Sequence, residues 1–278
     1  MEMESTNKQE QLIRQVTEIG NGAHIFAPKE WTNEKVLIVR LEKKSIKEKI
    51  LEMLYPHLDK IITVLLYGSH GRNEADEDSD IDVLVIAKDK FKLNKKMNIE
   101  FTVISEDFLN SAIKINPIMM YSIFREAKAL INQSYLEKLK KIKINLGLFK
   151  PFIKSTKESI KSSEEIIELD KKTGKTASNS IIYSLILRLR GIFIIHQLLK
   201  NKTYSNVLFK KWITDNCKIN YNELYEIYRI VRAEKKVKDK ISIENAEILL
   251  KFLKEELKKL EIIITKDGKL KKEAQKRN

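Results

Sequence analysis

The chain has 278 residues, of which 42% are hydrophobic, so it can bury a core and is long enough for one large domain or two to three small ones. Cys217 is its single cysteine, which excludes a disulfide framework and a structural zinc site, and the four histidines show no metal-ligand spacing. No apolar run reaches about 18 residues and the N-terminus is acidic and polar, so we expect no membrane span, no signal peptide and a cytoplasmic location.

The net charge of +14 at pH 7 is unevenly distributed along the chain. Residues 1–44 carry 7 basic and 7 acidic side chains, residues 45–133 carry 12 and 14, and residues 134–278 carry 34 and 18. The basic excess of the third region predicts attraction to nucleic acid or another polyanion. Lys-rich, solvated helix faces would give the same composition, because Lys and Glu alternate through much of this region. Charge alone leaves both interpretations open.

Residues 1–44 are the first predicted domain, a small β module. Short apolar runs around the tight-turn signal G-N-G, which begins at Gly20, are typical of a hairpin, and the run that follows Trp31 is typical of another strand. We expect strands at Val16–Ile19, Ala23–Phe26 and Val36–Leu41, with a helical turn at Pro28–Trp31.

The string I-G-N-G-A-H-I-F-A-P-K-E-W, with V-L-I-V a few residues later, resembles the swapped-hairpin half-barrel of the AbrB/SpoVT class over residues 14–42. The resemblance implies pairing into a homodimer, and many members of that class bind DNA. Because the segment has no net charge and no recognisable basic face, while DNA affinity needs several phosphate-neutralising cations, we favour a dimerisation or docking module. DNA contact is the alternative.

Residues 45–133 are the second predicted domain, and two apolar runs within it bracket a short polar turn. After a helix predicted at Ser45–Leu58 and capped by Ser45, the strand Ile61–Tyr67 breaks at Gly68 and Ser69, and a second strand carries Asp80 and Asp82. Residues two apart in a strand share a face, so the two carboxylates lie side by side while Ile81 and Val83 enter the core. Paired carboxylates repel unless a cation lies between them, and hard oxygen ligands favour Mg²⁺.

The Gly-Ser pair predicts an anion site beside those carboxylates. Gly68 allows a sharp backbone turn after the strand, and Ser69 offers a hydroxyl and amide donors at the start of the following turn. A triphosphate and its metal could both be held there. The competing interpretation is an acidic, solvated surface turn, since six carboxylates lie between Glu74 and Asp82. Such a turn explains neither Gly-Ser after one strand nor alternating Asp residues inside the next.

These residues resemble the DNA polymerase beta-type nucleotidyltransferase superfamily, whose motif is G-S-x-x-R-x-x-A-x-x-x-S-D-x-D. The motif is matched without a spacing error, by Gly68, Ser69, Arg72, Ala75, Ser79, Asp80 and Asp82. Asn73 stands where many minimal members have Gly, a mild departure because Asn also tolerates left-handed turn conformations.

A third carboxylate is implied by the same resemblance, on a strand next to the one that carries the Asp pair. Glu100, within a strand predicted at Met97–Ile104, occupies that place, and an exposed strand-face Glu is the alternative. Ser105 is then expected to cap a helix opened by Glu106 and Asp107, and a helix at Ile118–Lys128 closes the catalytic unit.

Residues 134–265 are predicted to be a helical domain, followed by a basic, frayed tail at 266–278. Its helices are expected at Ser178–Lys200, Val207–Asn216, Tyr221–Lys236 and Ile243–Ile264, after a break at Lys150-Pro151 and a loop at Asp170–Thr176. The stretch from Ser178 to Asn206 resembles the helical bundles that accompany nucleotidyltransferase domains, namely the substrate-binding domain of aminoglycoside nucleotidyltransferases and the HEPN domains.

Some HEPN domains are ribonucleases with an R-x(4 to 6)-H motif, and Arg190 and His196 fit that spacing. Positions six apart lie about 240° apart around a straight helix, so the pair does not share a face. Gly191 also stands where active members have a polar residue. We therefore favour a histidine that packs in the core or lines a groove, over a nuclease.

The resemblances together imply an α+β protein with a small N-terminal β module, a nucleotidyltransferase mixed sheet flanked by helices, and an all-α helical bundle. The implied activity is metal-dependent transfer of a nucleoside monophosphate, AMP from ATP or another NTP, onto a hydroxyl of a protein, an RNA or a small molecule. The implied metal site is two Mg²⁺ ions on Asp80, Asp82 and Glu100, which are also the catalytic residues; the implied nucleotide site is Gly68, Ser69, Arg72 and Ser79. The alternatives are a non-catalytic DNA- or RNA-binding regulator and a toxin–antitoxin-type protein with a HEPN module.

Overall fold

The computed structural model describes residues 12–40, 44–76, 79–93, 98–174, 176–232 and 241–276. The chain divides into two compact units, Met1–Ser45 and Ile46–Asn278. Each unit is described by itself.

The first unit contains an antiparallel hairpin of β1 (Thr17–Ile19) and β2 (Gly22–His24), with Thr17 opposite His24. A 3-10 turn at Lys29–Trp31 agrees with the predicted helical turn. The strand predicted at Val36–Leu41 is wrong over residues 36–40, which have no strand structure, and residue 41 lies outside the described residues. The physical reason is that this run is apolar on both faces, and its side chains stay exposed among the described residues of the unit. The half-barrel resemblance therefore stays a prediction.

The second unit is built on a four-stranded mixed sheet within the described residues. Its strands are β3 (Ile61–Tyr67), β4 (Ile81–Ala87), β5 (Ile99–Ser105) and β6 (Lys128–Ile131), in the order β5-β4-β3-β6. The pair β4 and β5 is parallel, and β3 is antiparallel to both β4 and β6. Before the sheet, α1 (Ile46–Leu54) ends in a 3-10 turn that contains Pro56, four residues earlier than the predicted helix end.

The strand β6 was not predicted, and the helix before it is shorter than expected. That helix, α4 (Pro117–Glu126), ends because Ala127 has extended backbone angles, and the next residues pair with β3 instead of continuing the helix. Tertiary pairing here overrides the weak helical preference of K-A-L-I. The predicted cap at Ser105 is also wrong: that residue is the last of β5, and α3 (Leu109–Ile115) begins after a turn.

The helical region begins with α5 (Gln133–Lys140) and continues through α6 (Lys150–Thr173), α7 (Asn179–Leu199), α8 (Asn206–Cys217), α9 (Tyr221–Arg232) and α10 (Ile243–Lys276). The α7 helix packs against α4, α6, α9 and α10, and buries Leu185, Leu189 and Ile192 completely. The frayed tail expected after Lys266 is wrong for the backbone, since α10 continues to Lys276. The predicted α9 residues beyond 232 lie outside the described residues.

Among the described residues, α7 is long and apolar enough to cross a membrane by length and composition. Half of its most apolar window is buried by neighbouring helices. Since the core helix of a soluble protein has these same properties, we interpret α7 as the central helix of the bundle.

Two hydrophobic clusters cover the two faces of the sheet. Ile81, Val83 and Val85 pack on α1, while Leu65 and Leu84 join the cluster that contains α4 and the helical region. Because side chains alternate along a strand, the residues next to Ile81 and Val83 face the second cluster. The fold class is therefore α+β, as predicted, with the acidic face of β4 turned towards the helices.

Candidate active site

Three polar residues form a row across the sheet. Asp82 on β4 is the register partner of Glu100 on β5, and on the other side it is the register partner of Tyr67 on β3. Directly opposite residues of paired strands point to the same face, so the three side chains are neighbours. Asp80 comes just before β4, where the amide of Ile81 donates to the carbonyl of Asn98 (2.8 Å). The structure thus brings the predicted carboxylates to one end and one face of the sheet.

The donor set at this place is made of carboxylate oxygens. Asp80 and Glu100 are exposed and Asp82 is half-buried. In the part of the chain that the structure describes, no three His, Cys, Asp or Glu side chains close on a metal position. Mg²⁺ keeps several waters and takes one or two carboxylates together with substrate phosphates, so it needs no complete protein cage. The register partners Asp82 and Glu100 on neighbouring strands, with Asp80 beside them, fit such an ion.

The α2 turn (Gly68–Arg72) follows β3 and begins against the Asp82 carboxylate. Gly68 has φ +69°, and a Cβ atom on it would lie 2.3 Å from Oδ2 of Asp82. A side chain there would both strain the backbone and displace the carboxylate. Asn73 ends the turn with φ 59°, which is the left-handed conformation that its place in the motif requires.

The Gly68 amide already has a partner within the protein. It donates to Oε1 of Glu126 at 3.1 Å. Glu126 was not identified from the sequence, where it lies near the end of an ordinary amphipathic helix. A phosphate group at this turn would therefore take donors from Ser69 onwards, rather than the Gly68 amide.

Arg72 is buried in an ion-pair network, with its side chain 8% exposed. Its Nε donates to Oε2 of Glu74 (2.9 Å), and its NH1 pairs with Oε1 of Glu126 (3.0 Å). These contacts favour a structural tie to the acidic loop over the direct contact with a nucleotide that the family resemblance implied.

Ser79 closes the loop that leads into β4. Its hydroxyl donates to Oδ1 of Asp76 (2.6 Å) and accepts from the amide of Asp76 (2.9 Å), while its carbonyl accepts from Nδ2 of Asn98 (3.3 Å). Ser79 therefore stabilises the loop conformation immediately before Asp80 and Asp82. Residues 77 and 78 of this loop lie outside the described residues.

Comparison with known proteins assigns a family to the segment that holds this site. The family model "Polymerase beta, Nucleotidyltransferase" matches residues 48–136. A relative from Methanocaldococcus jannaschii named "Putative protein adenylyltransferase" is 37% identical over 76 residues, which cover 27% of this chain and 73% of the relative. The chain belongs to the polymerase beta nucleotidyltransferase family. It is a nucleotidyltransferase, as the motif predicted, and the matched segment holds every residue of the candidate site named so far.

Two solved structures are also similar to this nucleotidyltransferase. Spectinomycin adenyltransferase AAD(9) from Enterococcus faecialis, solved with ATP and spectinomycin, has a TM-score of 0.42 at 18% identity, covering 76% of this chain and 97% of that chain. A nucleotidyltransferase-like protein from Exiguobacterium sibiricum has a TM-score of 0.36 at 12% identity, covering 77% and 75%.

Tyr67 lies beside the carboxylates of the nucleotidyltransferase in a protonated state. Burial, and then the negative charges of Asp82, Glu100 and Glu126, raise the pKa of its phenol to about 12, against the opposing effect of a hydrogen bond with Thr102. Its hydroxyl is therefore a neutral hydrogen-bond donor at physiological pH. Sequence reasoning treated Tyr67 only as the end of an apolar strand.

Glu74 links the motif to the helical region, and sequence reasoning also missed this role. Its Oε1 accepts from the hydroxyl of Ser205 (2.8 Å) and from the amide of Asn206 (3.1 Å). Burial alone would raise the pKa of Glu74, but hydrogen bonds from Arg72, Ser205 and Asn206 hold it below its ordinary value. No local signal reveals this link, because the partners of Glu74 in the helical region, Ser205 and Asn206, are more than 130 residues away.

Arg190 and His196 have different partners in the structure. NH1 of Arg190 donates to the hydroxyl of Tyr228 (3.1 Å), whereas Nδ1 of His196 lies 3.6 Å from Oε2 of Glu256. Burial lowers the pKa of His196 below its ordinary value. These contacts agree with a packed histidine, and the resemblance to HEPN domains stays a prediction.

Gly191 has a packing explanation. A Cβ atom there would lie 2.6 Å from Cζ of Phe152, so the missing side chain is what lets α6 and α7 approach closely.

Proposed function

We propose that this nucleotidyltransferase moves AMP from ATP onto an acceptor hydroxyl, with Mg²⁺ as its metal and pyrophosphate as its second product. The observation that carries the proposal is the register of Asp82 with Glu100, beside the Gly68 turn. The other predicted site residue of the sheet, Asp80, is one alternation away on the same face.

In the proposed reaction, the acceptor oxygen forms a bond to the α-phosphorus, and the bond between that phosphorus and the bridging oxygen to the β-phosphate breaks. Two Mg²⁺ ions, held by Asp80, Asp82 and Glu100, would supply the positive charge that stabilises the attacking and leaving oxygens. Glu100 is exposed at the end of the row and would receive the acceptor's proton. No covalent enzyme intermediate is required.

The residues of the α2 turn would orient the triphosphate. Ser69 would donate from its hydroxyl and its amide to the phosphate oxygens. Gly68 would act by letting the Asp82 carboxylate approach, because its own amide is held by Glu126. Arg72 would fix the turn through its two buried ion pairs instead of contacting the nucleotide.

The donor and acceptor are supported by different observations. The name of the Methanocaldococcus jannaschii relative, a protein adenylyltransferase, supports an adenylyl donor and a protein acceptor. The excess of 34 basic over 18 acidic residues in 134–278 supports RNA or a phosphorylated acceptor. We take a protein hydroxyl as the first acceptor to test, with RNA and small polyols as the other arms.

The N-terminal unit would serve as a homodimerisation module. Its run at Val36–Val39 is 53 to 89% exposed at each position, and a lone two-stranded hairpin is marginally stable in water. Pairing of two copies would bury this apolar surface. We expect deletion of residues 1–44 to convert a dimer into a monomer in sedimentation equilibrium. An unchanged mass would overturn the dimerisation role. Salt-dependent binding of duplex DNA that is lost with the deletion would favour the DNA-contact alternative.

The experiment that tests the activity is label transfer from α-³²P-ATP in Mg²⁺ to whole-cell lysate protein, whole-cell RNA or an aminocyclitol such as spectinomycin. We expect label in one of the three fractions, lost in the Asp80→Asn, Asp82→Asn double variant. Asp89→Asn, an exposed residue just after β4, is the matched control and should keep the transfer. No transfer to any fraction by the unmodified protein, with any of the four NTPs, would contradict the proposal.

A further inference from the structure

The residues that follow the Gly-Ser motif are held by the beginning of α8, within the same compact unit. Glu74 accepts two hydrogen bonds from there, and Ser205, one of the two donors, is also the N-cap of α8, where it accepts from the amide of Leu208 (3.4 Å). The carboxylate lies at a helix N-terminus, where the helix dipole favours negative charge. The hydrogen bonds of Glu74 therefore join the loop that follows the Gly-Ser motif to the helical region.

Tyr204 makes a second contact of the same kind. The guanidinium carbons of Arg72, from the motif, and of Arg190, from α7, each lie 4.9 Å from the centre of its ring. Tyr204 is 4% exposed, and its hydroxyl donates to Oδ1 of Asn206 (2.6 Å). A guanidinium over the face of a buried aromatic ring is attracted by the ring's quadrupole, and the attraction is strongest where water is absent.

The contacts continue from Arg72 to the carboxylates. Arg72 pairs with Glu126, Glu126 accepts from the amide of Gly68, and Gly68 lies directly against Asp82. Each member of this chain is within 3.1 Å of the next or leaves no room for a methyl group. A displacement of Arg72 would therefore move the α2 turn, and with it the surroundings of Asp82.

We propose that Tyr204 is a positioning residue for nucleotidyl transfer, acting through Arg72 and the α2 turn on the Asp82 carboxylate. The inference rests on the proposed function and assigns part of it to the helical region. Without the aromatic ring, Arg72 keeps its ion pairs with Glu74 and Glu126 but loses the contact on the face of its guanidinium, so its side chain is held less rigidly. The helical region is then needed for the geometry of the catalytic turn, in addition to any acceptor that it binds.

A purely structural role for Tyr204 would give a different pattern of variants. Tyr204→Phe keeps the ring and its two guanidinium contacts, whereas Tyr204→Leu keeps an apolar side chain and removes the π face. Tyr221 provides the matched control: it is 7% exposed, and its ring packs on Phe209 and Tyr225, which belong to the helical region. Tyr221→Leu should cost similar packing without touching Arg72.

The test combines turnover with hydrogen exchange on the full chain. We expect Tyr204→Leu to lower kcat for pyrophosphate release from ATP by at least about tenfold with a smaller change in KM, while Tyr204→Phe and Tyr221→Leu stay within about threefold of the unmodified protein, since misplacement by about 1 Å can cost about 100-fold in rate. Amide exchange in the segment 68–74 should accelerate in Tyr204→Leu and not in Tyr221→Leu.

Equal kcat losses in the two Leu variants would overturn the positioning role, as would unchanged exchange of residues 68–74 in Tyr204→Leu. Loss of kcat in Tyr204→Phe equal to that in Tyr204→Leu would assign the effect to the hydroxyl and also overturn it. If the unmodified protein releases no pyrophosphate with any NTP, the proposed function fails, and the exchange experiment still decides whether Tyr204 holds the turn.

Discussion

Asp82 on β4 and Glu100 on β5 are direct register partners in the parallel part of the central sheet. Register partners on neighbouring strands point to the same face of the sheet. Asp82 and Glu100 therefore stay side by side whichever rotamers their side chains adopt. It follows that the backbone, and not a preformed cage of side chains, defines where the candidate metal site lies.

Replacing Gly68 by alanine tests the close approach of the α2 turn to Asp82. The new Cβ atom would lie 2.3 Å from Oδ2 of Asp82, and φ is +69°. We expect loss of transfer by at least about 100-fold and a decrease in the free energy of unfolding of about 1–3 kcal/mol. Gly20→Ala is the control, because its φ is +53° with nothing within 4 Å. It should be active, and an active Gly68→Ala would show that Asp82 has room to move.

The buried ion pair between Arg72 and Glu126 should dominate the stability of the turn. Both side chains are less than a tenth exposed, and breaking a buried pair leaves a charge without its partner. Glu126→Gln is expected to lower the free energy of unfolding by about 3 kcal/mol in urea titrations. Glu106→Gln, which alters an exposed carboxylate bonded to Tyr135, should change it by less than about 1 kcal/mol. Equal changes in the free energy of unfolding for the two variants would show that the buried pair of Arg72 and Glu126 adds no particular stability.

Glu74 should make stability depend on pH in the acid range. The pKa of Glu74 in the folded state is below its ordinary value, which is about 4.3 in an unfolded chain. The ionised carboxylate therefore stabilises the folded state above that pH, and this stabilisation is lost as the pH falls through the folded pKa. The difference in unfolding free energy between the unmodified protein and Glu74→Gln should therefore be largest above about pH 5 and shrink below pH 4. The control is Glu137→Gln: Lys140 also lowers the pKa of Glu137, but water screens this exposed pair, so the control should show a smaller dependence on pH. A difference that grows on acidification would reverse the sign and refute the assignment.

His196 should contribute a pH dependence at higher pH. Burial lowers its folded pKa below the unfolded value of about 6.5, so the folded state binds this proton less readily and loses stability as pH falls from about 6.5 through the folded pKa. His196→Gln should remove that part of the dependence, measured as urea midpoints between pH 5 and 8. The control variant is His57→Gln, which removes a different histidine, one whose ring stacks on Phe91. A difference between the midpoints of the unmodified protein and His196→Gln that stays constant from pH 8 to pH 5 would contradict the burial effect.

The central strands and the motif were predictable because their signals are local. The apolar run at β3 ends at a Gly-Ser pair, and the Asp residues alternate with Ile81 and Val83, so the motif defined α2 and β4 closely. Glu100 followed from the family resemblance, and the strand register agrees with the place it implied.

The missed features depend on residues far apart in the chain. The strand β6 forms because β3 has a free edge, and Glu74 and Glu126 acquire their roles from partners on other elements. The prediction of a third N-terminal strand is wrong for a related reason. An apolar run indicates that its side chains need burial, but it does not indicate which surface buries them. The contact of Tyr204 with Arg72 joins positions 132 apart, and no periodicity connects them.

The most direct measurement of the central claim is Mn²⁺ affinity, by electron paramagnetic resonance, in the presence of a non-hydrolysable ATP analogue. Asp82→Asn and Glu100→Gln should each weaken binding by at least about tenfold, which is about 1.4 kcal/mol, because each removes a charged ligand of a shared ion. Asp89→Asn should leave it unchanged. If all four proteins bind Mn²⁺ with one affinity, the register partners Asp82 and Glu100 do not hold the metal ion, which contradicts the proposed site.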